Sequence, residues 1–298
     1  MGWGGASRRP LGIASTLILL LGLLGPARPA WAMSFVVTTT ADAAQSGAPS
    51  GNCTTALGQC TLRAAIQAAN FLGGGPHLIQ LQAPGTYLLD TTNLGALPGI
   101  NNVTLGIQNV SGSSIAIDGN HAVRVFDIGP TTAAQVTITG LTIQNGAAAA
   151  GGLGGGVRVG SGSTLVLTNT TVSGNAADGT GGGLFNAGTA TLTNTTFSGN
   201  AAAGGGGLYN AATVTLTSTT LSGNSAGSGG GLYNSGTATL TNTTFSGNAA
   251  SFGGGLFNNG TATLTNTTFS GNAAASGGGG LLNNGTTTLQ SSIIAQSR

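Results

Sequence analysis

The chain contains no Lys and no Glu, and charged residues make up only 4% of its 298 positions. Seven Arg face five Asp. Three of those Arg, Arg8, Arg9 and Arg28, fall in an N-terminal segment expected to be removed. That leaves Arg63, Arg124, Arg158 and Arg298 against Asp42, Asp90, Asp118, Asp127 and Asp178, a balance of −1. Such a surface cannot neutralise a row of phosphates, so binding to nucleic acid or to an anionic membrane is not expected. There are two Cys and two His. His77 and His121 lie far from the thiols in sequence, and two thiols alone do not complete a tetrahedral zinc site. Past the first 32 residues no apolar run approaches the roughly 20 residues a membrane-spanning helix needs.

Glycine dominates what is present, with 56 residues. It lacks the strict every-third-residue pattern of collagen, and regular Leu and Phe positions argue against a disordered low-complexity chain. The first 32 residues read as an export signal. Arg8 and Arg9 form a basic start, Leu11 to Gly25 an apolar run, and Ala30-Trp31-Ala32 a small-x-small cleavage site, so cleavage is expected after Ala32. The competing reading is a membrane anchor, for which the run is short. A twin-arginine signal is a minor variant of the export reading. In an oxidising compartment, Cys53 and Cys60, seven apart, are expected to form one local disulfide.

The second half carries a repeat. The tripeptide SGN ends at Asn175, Asn200, Asn224, Asn248 and Asn272, a spacing of about 24 residues. A fixed period in this range marks a solenoid, whose units bury an apolar face only by stacking. Within one unit, Ala190 and Leu192 alternate with Thr189, Thr191 and Thr193, the period of a strand. The expected fold is all-β, a right-handed parallel β-helix of about 24 residues per rung. Its rungs are read as three-faced: two longer strands and a short one at Leu184-Phe185-Asn186. Earlier, imperfect rungs are read at 77–81, 103–107, 114–117, 123–126 and 136–143. Residues 61–70 place Leu62, Ala65, Ile66 and Ala69 on one helical face, with Thr61 as N-cap and Gly73-Gly74-Gly75-Pro76 as stop. This helix is read as a cap on the first rung. The domain plan is therefore 1–32 signal, 33–75 cap and 76–298 β-helix.

Aligned rungs give columns. Asn186, Asn210, Asn234, Asn258 and Asn283 form one, and Asn200, Asn224, Asn248 and Asn272 another. At rung spacing an Asn amide can bond the next amide, so both columns are expected to be ladders. Each Asn could instead merely suit a turn. Phe185, Tyr209, Tyr233 and Phe257 form an aromatic column that could stack on sugars or simply pack along the strands. Thr189, Thr191 and Thr193 recur through Thr213–Thr217, Thr237–Thr241 and Thr261–Thr265 as a grid. Such a grid resembles the surface of solenoid ice-binding proteins, although Thr is also an ordinary outward strand residue.

The segment CTLRAAIQAAN, Cys60 to Asn70, resembles the CSLREA motif that opens many secreted bacterial β-helix proteins, in which a second Cys often lies just upstream, as Cys53 does here. The GGGL and FSGN repeats resemble those of polymorphic outer membrane proteins and, more broadly, pectate-lyase-like β-helices. Ala64 stands where the motif has Glu, which removes half of a capping box. No series of ten-residue alternating strands follows the repeats, so a membrane barrel is not expected. No C-terminal cap is visible, and the open last rung is read either as a place for end-to-end association with another chain or as truncation.

Chemistry is sparse. Lyase or glycosidase action requires carboxylates, as calcium ligands or as paired acids. Between Thr164 and Gln296 the only charged side chain is Asp178. One cluster stands out: Asp118, His121, Arg124 and Asp127 in IDGNHAVRVFDI. Asp118-Gly119-Asn120 is a turn signature, and the resemblance implies a structural role; catalysis is the alternative. The functional expectation is a secreted or surface protein, structural or adhesin-like, without catalysis, cofactor or metal, whose partners are cell-surface glycans or other surface proteins. A polysaccharide lyase or hydrolase is the second reading, and a glycan- or ice-binding module the third.

Overall fold

A computed structural model describes residues 1–2, 33–148 and 151–298. The expected signal segment, with its cleavage after Ala32, lies outside the described residues apart from its first two.

Each regular rung is one circuit of four strands. The circuit from Leu184 runs Leu184–Asn186, Thr189–Thr193, Thr196–Ser198 and Ala201–Gly204, then returns one rung on at Leu208–Asn210. Leu184 pairs with Leu208, Thr189 with Thr213, Thr196 with Thr220 and Ala201 with Ser225, all in parallel. The four ladders are a ten-stranded threonine sheet, a nine-stranded phenylalanine sheet, a six-stranded alanine sheet and a seven-stranded tyrosine sheet. The rung is therefore four-sided and not three-sided as the sequence suggests. The extra side, Ala201–Gly204 and its equivalents, is built mostly of Ala, Gly and Ser, with Asp178 and Thr180 in one strand and Phe252 in another. It carries no regular apolar alternation, so periodicity alone cannot find it. Thr196–Ser198 is also short, which leaves Thr189–Thr193 as the long strand of the rung.

Sharp corners separate the sides. Between the threonine and phenylalanine sheets the chain turns through a left-handed residue, Asn194 at φ 50° and Asn242 at φ 53°. Asn tolerates this conformation better than other non-Gly residues. Among the early rungs, 136–143 is not one strand but two, Gln135–Thr139 and Thr142–Gln144, split at Gly140 with φ 72°. The strand expected at 123–126 lies instead at Phe126–Ile128, because the tight turn ending near Ala122 delays it.

Inside run stacks of like residues. Leu192, Leu216, Leu240 and Leu264 are fully buried, as are Phe197, Leu221, Phe245 and Phe269. Phe245 and Phe269 stack with centroids 4.6 Å apart. Outward Thr alternate with these Leu along the same strands. Leu240→Ala is expected to cost about 3 kcal/mol, because neighbouring rungs cannot close over the void. Thr239→Ala should cost less than about 1 kcal/mol. Urea unfolding of both variants checks this, and equal losses would show that the inward and outward faces are misassigned.

The N-terminal end is covered by the helix Leu62–Leu72. Thr61 caps it, accepting from the Ala64 amide at 3.2 Å. Leu62, Ala65, Ile66 and Ala69 are buried against the first rungs. Strand Ser34–Val37, placed with the cap by sequence, pairs in parallel with Gly74–Leu81 and so forms the first strand of the threonine sheet. Cys53 and Cys60 are bonded, with Cα atoms 4.9 Å apart. On the last described rung, Leu289, Ile293 and Ile294 stay exposed.

Candidate functional site

The IDGNHAVRVFDI segment is where charge concentrates, and the fold divides it into two unlike parts. Asp118 ends strand Ile115–Asp118, just before a turn in which Asn120 and His121 adopt φ 55° and 53°. Its carboxylate accepts from the Asn120 amide, Gln144 Nε2 and Asn145 Nδ2, each at 2.8 Å. Burial pushes its pKa up, but these three donors outweigh burial and hold it below the usual carboxylate range. A carboxylate so held stays ionised and engaged, as an anchor of the turn would. The His121 amide donates to the Asn145 carbonyl at 2.7 Å, while its ring is directed to solvent.

Arg124 and Asp127 form the second part, joined by Arg158, which sequence reasoning did not single out. Arg124 donates from Nη1 to Asp127 Oδ2 at 2.9 Å, and from Nε and Nη2 to the carbonyls of Leu153 and Gly154. Arg158 Nε reaches Asp127 Oδ1 at 2.7 Å. Burial pushes the Arg124 guanidinium below its ordinary pKa, and Asp127 counters this in part. Arg158 pairs in register with Asp127 below and Phe185 above. It therefore occupies the aromatic column's place in an earlier rung, a position where periodic reading expects an aromatic ring. Each oxygen of Asp127 is thus engaged by a guanidinium group.

A charge pair that is fully buried, unlike the half-buried Asp127 group, was also missed. Arg63, on the capping helix, is 3% exposed and makes a two-pronged bond to Asp42, both contacts at 2.7 Å. Its remaining donors go to the carbonyls of Leu94, Gly95 and Ala96. Asp42 also accepts from the Asp90 amide. Two loops are thereby tied to the cap. One Asp in an irregular loop, 21 residues from its partner, leaves no sequence signal for this.

The Asn columns are continuous ladders. Asn186 Nδ2 donates to Asn210 Oδ1 at 2.8 Å, and the same bond recurs from Asn210 to Asn234, Asn258 and Asn283. The second ladder runs from Asn175 through Asn200, Asn224, Asn248 and Asn272 at 2.9–3.0 Å. Its amides are buried to within 1% of full coverage, and they also bond backbone carbonyls of the preceding rung.

The aromatic column is a stack. Ring centroids from Phe185 to Tyr209, Tyr233 and Phe257 lie 5.5, 4.9 and 4.8 Å apart, with planes 14–22° from parallel. Each interior ring thus spends both faces on its neighbours and turns its edge outward. Sugar stacking requires an open face, and the interior rings Tyr209 and Tyr233 give theirs to packing along the strands. The phenols are used as well: Tyr209 bonds Ser235 and Asn259 bonds Tyr233.

Two surface clefts, of about 200 and 310 Å³, are lined by no ionisable side chain, and neither adjoins the Asp118 or Asp127 groups. Among the described residues, no three His, Cys, Asp or Glu side chains gather as a metal site would require. The sequence model of the family described as "Right handed beta helix region" matches residues 127–295. No curated protein matches the chain. The family match covers more than half of the molecule and coincides with the four-sided rungs, so the chain belongs to the right-handed β-helix family.

Proposed function

We propose that this protein is an exported, non-catalytic scaffold that displays its β-helix at the cell surface or outside the cell, in an adhesin-like role. The observation that carries the reading is the condition of the Asp118–Asp127 segment. Its two carboxylates are occupied by three amide donors and by two guanidinium groups, respectively. A lyase or hydrolase needs a carboxylate free to bind a metal, attack or move a proton. Export rests on the N-terminal pattern and on a disulfide, which suits an oxidising compartment. The likeness of Cys60–Asn70 to the CSLREA motif, and of the repeats to polymorphic outer membrane proteins, supports the same reading. Partners on this view are cell-surface glycans or other surface proteins.

The test is turnover of pectin, polygalacturonate and alginate by the purified protein, with and without Ca²⁺. No product is expected. Turnover that vanishes in Asp118→Ala or Asp127→Ala would overturn the scaffold reading in favour of a polysaccharide-active enzyme.

A further inference from the structure

The threonine sheet presents a surface that the scaffold role does not use. Four successive strands, beginning at Thr189, Thr213, Thr237 and Thr261, each point three Thr outward. Their register is unshifted, with Thr191 over Thr215, Thr215 over Thr239 and Thr239 over Thr263. The rungs on either side continue the pattern with Thr164 and Thr168, and with Thr286 and Thr288. Outward residues repeat roughly every 4.8 Å along the solenoid and roughly every 6.7 Å along a strand. From Gln135 to Gln290, no outward position of this sheet is charged.

The hydroxyls provide a second, independent observation. Thr195, Thr219, Thr243 and Thr267, at the sheet's corner, all spend theirs on backbone carbonyls. The grid hydroxyls make no hydrogen bond to any described residue. They form a rigid array of donors and acceptors with a methyl beside each one.

From this we infer that the threonine sheet binds ice. A periodic array gains most from a periodic partner, because every rung then makes the same contact in register. A folded protein or a flexible glycan can match one rung but not all of them. Protein partners also seat on aromatic or Arg anchors, and this face has none. Crystalline polysaccharide is gripped by open aromatic faces, which are absent here too. Water in a lattice is uncharged, offers both donors and acceptors, and is itself periodic. Backbone ladders hold the Thr in place before contact, so little ordering entropy is lost on binding.

The full chain should shape ice crystals into facets, open a gap between melting and freezing, and slow recrystallisation. Thr215→Tyr combined with Thr239→Tyr places two bulky rings at the centre of the grid and should reduce the gap about tenfold or more, whereas Ser222→Tyr on the phenylalanine sheet should leave it unchanged. Circular dichroism melts must show all variants folded. If the double variant fails to fold, Thr239→Lys serves instead, since one charge on the face should have the same effect. Wild-type protein that leaves ice growth unaltered overturns the inference. So does a folded double variant that retains full activity, or sedimentation with crystalline cellulose without any effect on ice. None of these results bears on whether the protein is a non-catalytic scaffold.

Discussion

Gly206→Ala is expected to destabilise the protein by about 4 kcal/mol, far beyond an ordinary surface substitution. The rung repeats a glycine triplet, here Gly205-Gly206-Gly207, whose members differ in their reasons for being Gly. Gly205 turns the chain with φ 62°. Gly206 matters for space: a Cβ there would lie 2.3 Å from the Ser225 carbonyl oxygen and 2.7 Å from that of Gly230. Both atoms belong to the next rung. The Gly230 oxygen accepts from the Gly207 amide at 3.0 Å, so it cannot retreat without breaking a ladder bond. The added methyl must wedge two rungs apart, and the strain spreads along the stack. Gly199 is the matched control. It has φ 62°, and nothing lies within 4 Å of its would-be Cβ. Gly199→Ala should cost only the left-handed backbone penalty, about 1–2 kcal/mol. The equivalent place in an early rung is held by Asn145 at φ 50°, so an L side chain can occupy it. Urea midpoints of the two variants decide the matter. If Gly206→Ala falls within about 1 kcal/mol of Gly199→Ala, rungs can part freely and the close approach is not limiting.

The same contrast explains how much the sequence made legible. The repeat, the parallel pairing, the Leu stacks and both Asn ladders follow from residues that recur at one spacing, because stacked rungs place like beside like. The side built from Ala201–Gly204 was not legible, since Ala and Gly carry no inward–outward contrast. The triplet was legible as a turn, but the reason for its second Gly lies in the neighbouring rung. The charged groups divide in the same way. Asp118 in a turn could be read locally, from Gly119 and Asn120. Arg158 and the Arg63–Asp42 pair could not, because each meets its partner through a register between distant segments. For the aromatic column, sequence gave position but not orientation. That the interior rings face one another is a property of the stack.

Asn224→Asp should be the most damaging single-atom-scale change in the molecule, and its cost should depend on pH. Asn224 is 1% exposed and works in both directions. Its Oδ1 accepts from the amide and Nδ2 of Asn200, and its Nδ2 donates to Asn248 Oδ1 at 2.9 Å and to the Phe197 carbonyl at 3.0 Å. A carboxylate keeps the first pair of bonds and loses the second. Its other oxygen would face two acceptors, buried and without a donor, so the ionised form is strongly disfavoured. The folded-state pKa of the new Asp must therefore rise above the unfolded value of about 3.9. A rise of about 3 units corresponds to about 4 kcal/mol lost at neutral pH, plus the cost of the missing donor. The sign follows from linkage. Between the unfolded and the raised folded pKa, the native state holds more protons than the unfolded state, so stability falls as pH rises through that window. Lowering the pH from 7 towards 5 should narrow the gap to wild type, because a protonated acid can again donate to Asn248 or Phe197. Asn224→Ala removes the same amide without a titrating group, so its deficit should not change over this range. Exposed Asn242, in the corner column, should tolerate Asp with a loss below about 1 kcal/mol. Melting curves of the three variants at pH 5, 6 and 7 test the ladder directly. A deficit for Asn224→Asp that is flat with pH, or no larger than that of Asn242→Asp, would mean that the ladder admits water and that its amides are not the closed hydrogen-bond system on which the stack depends.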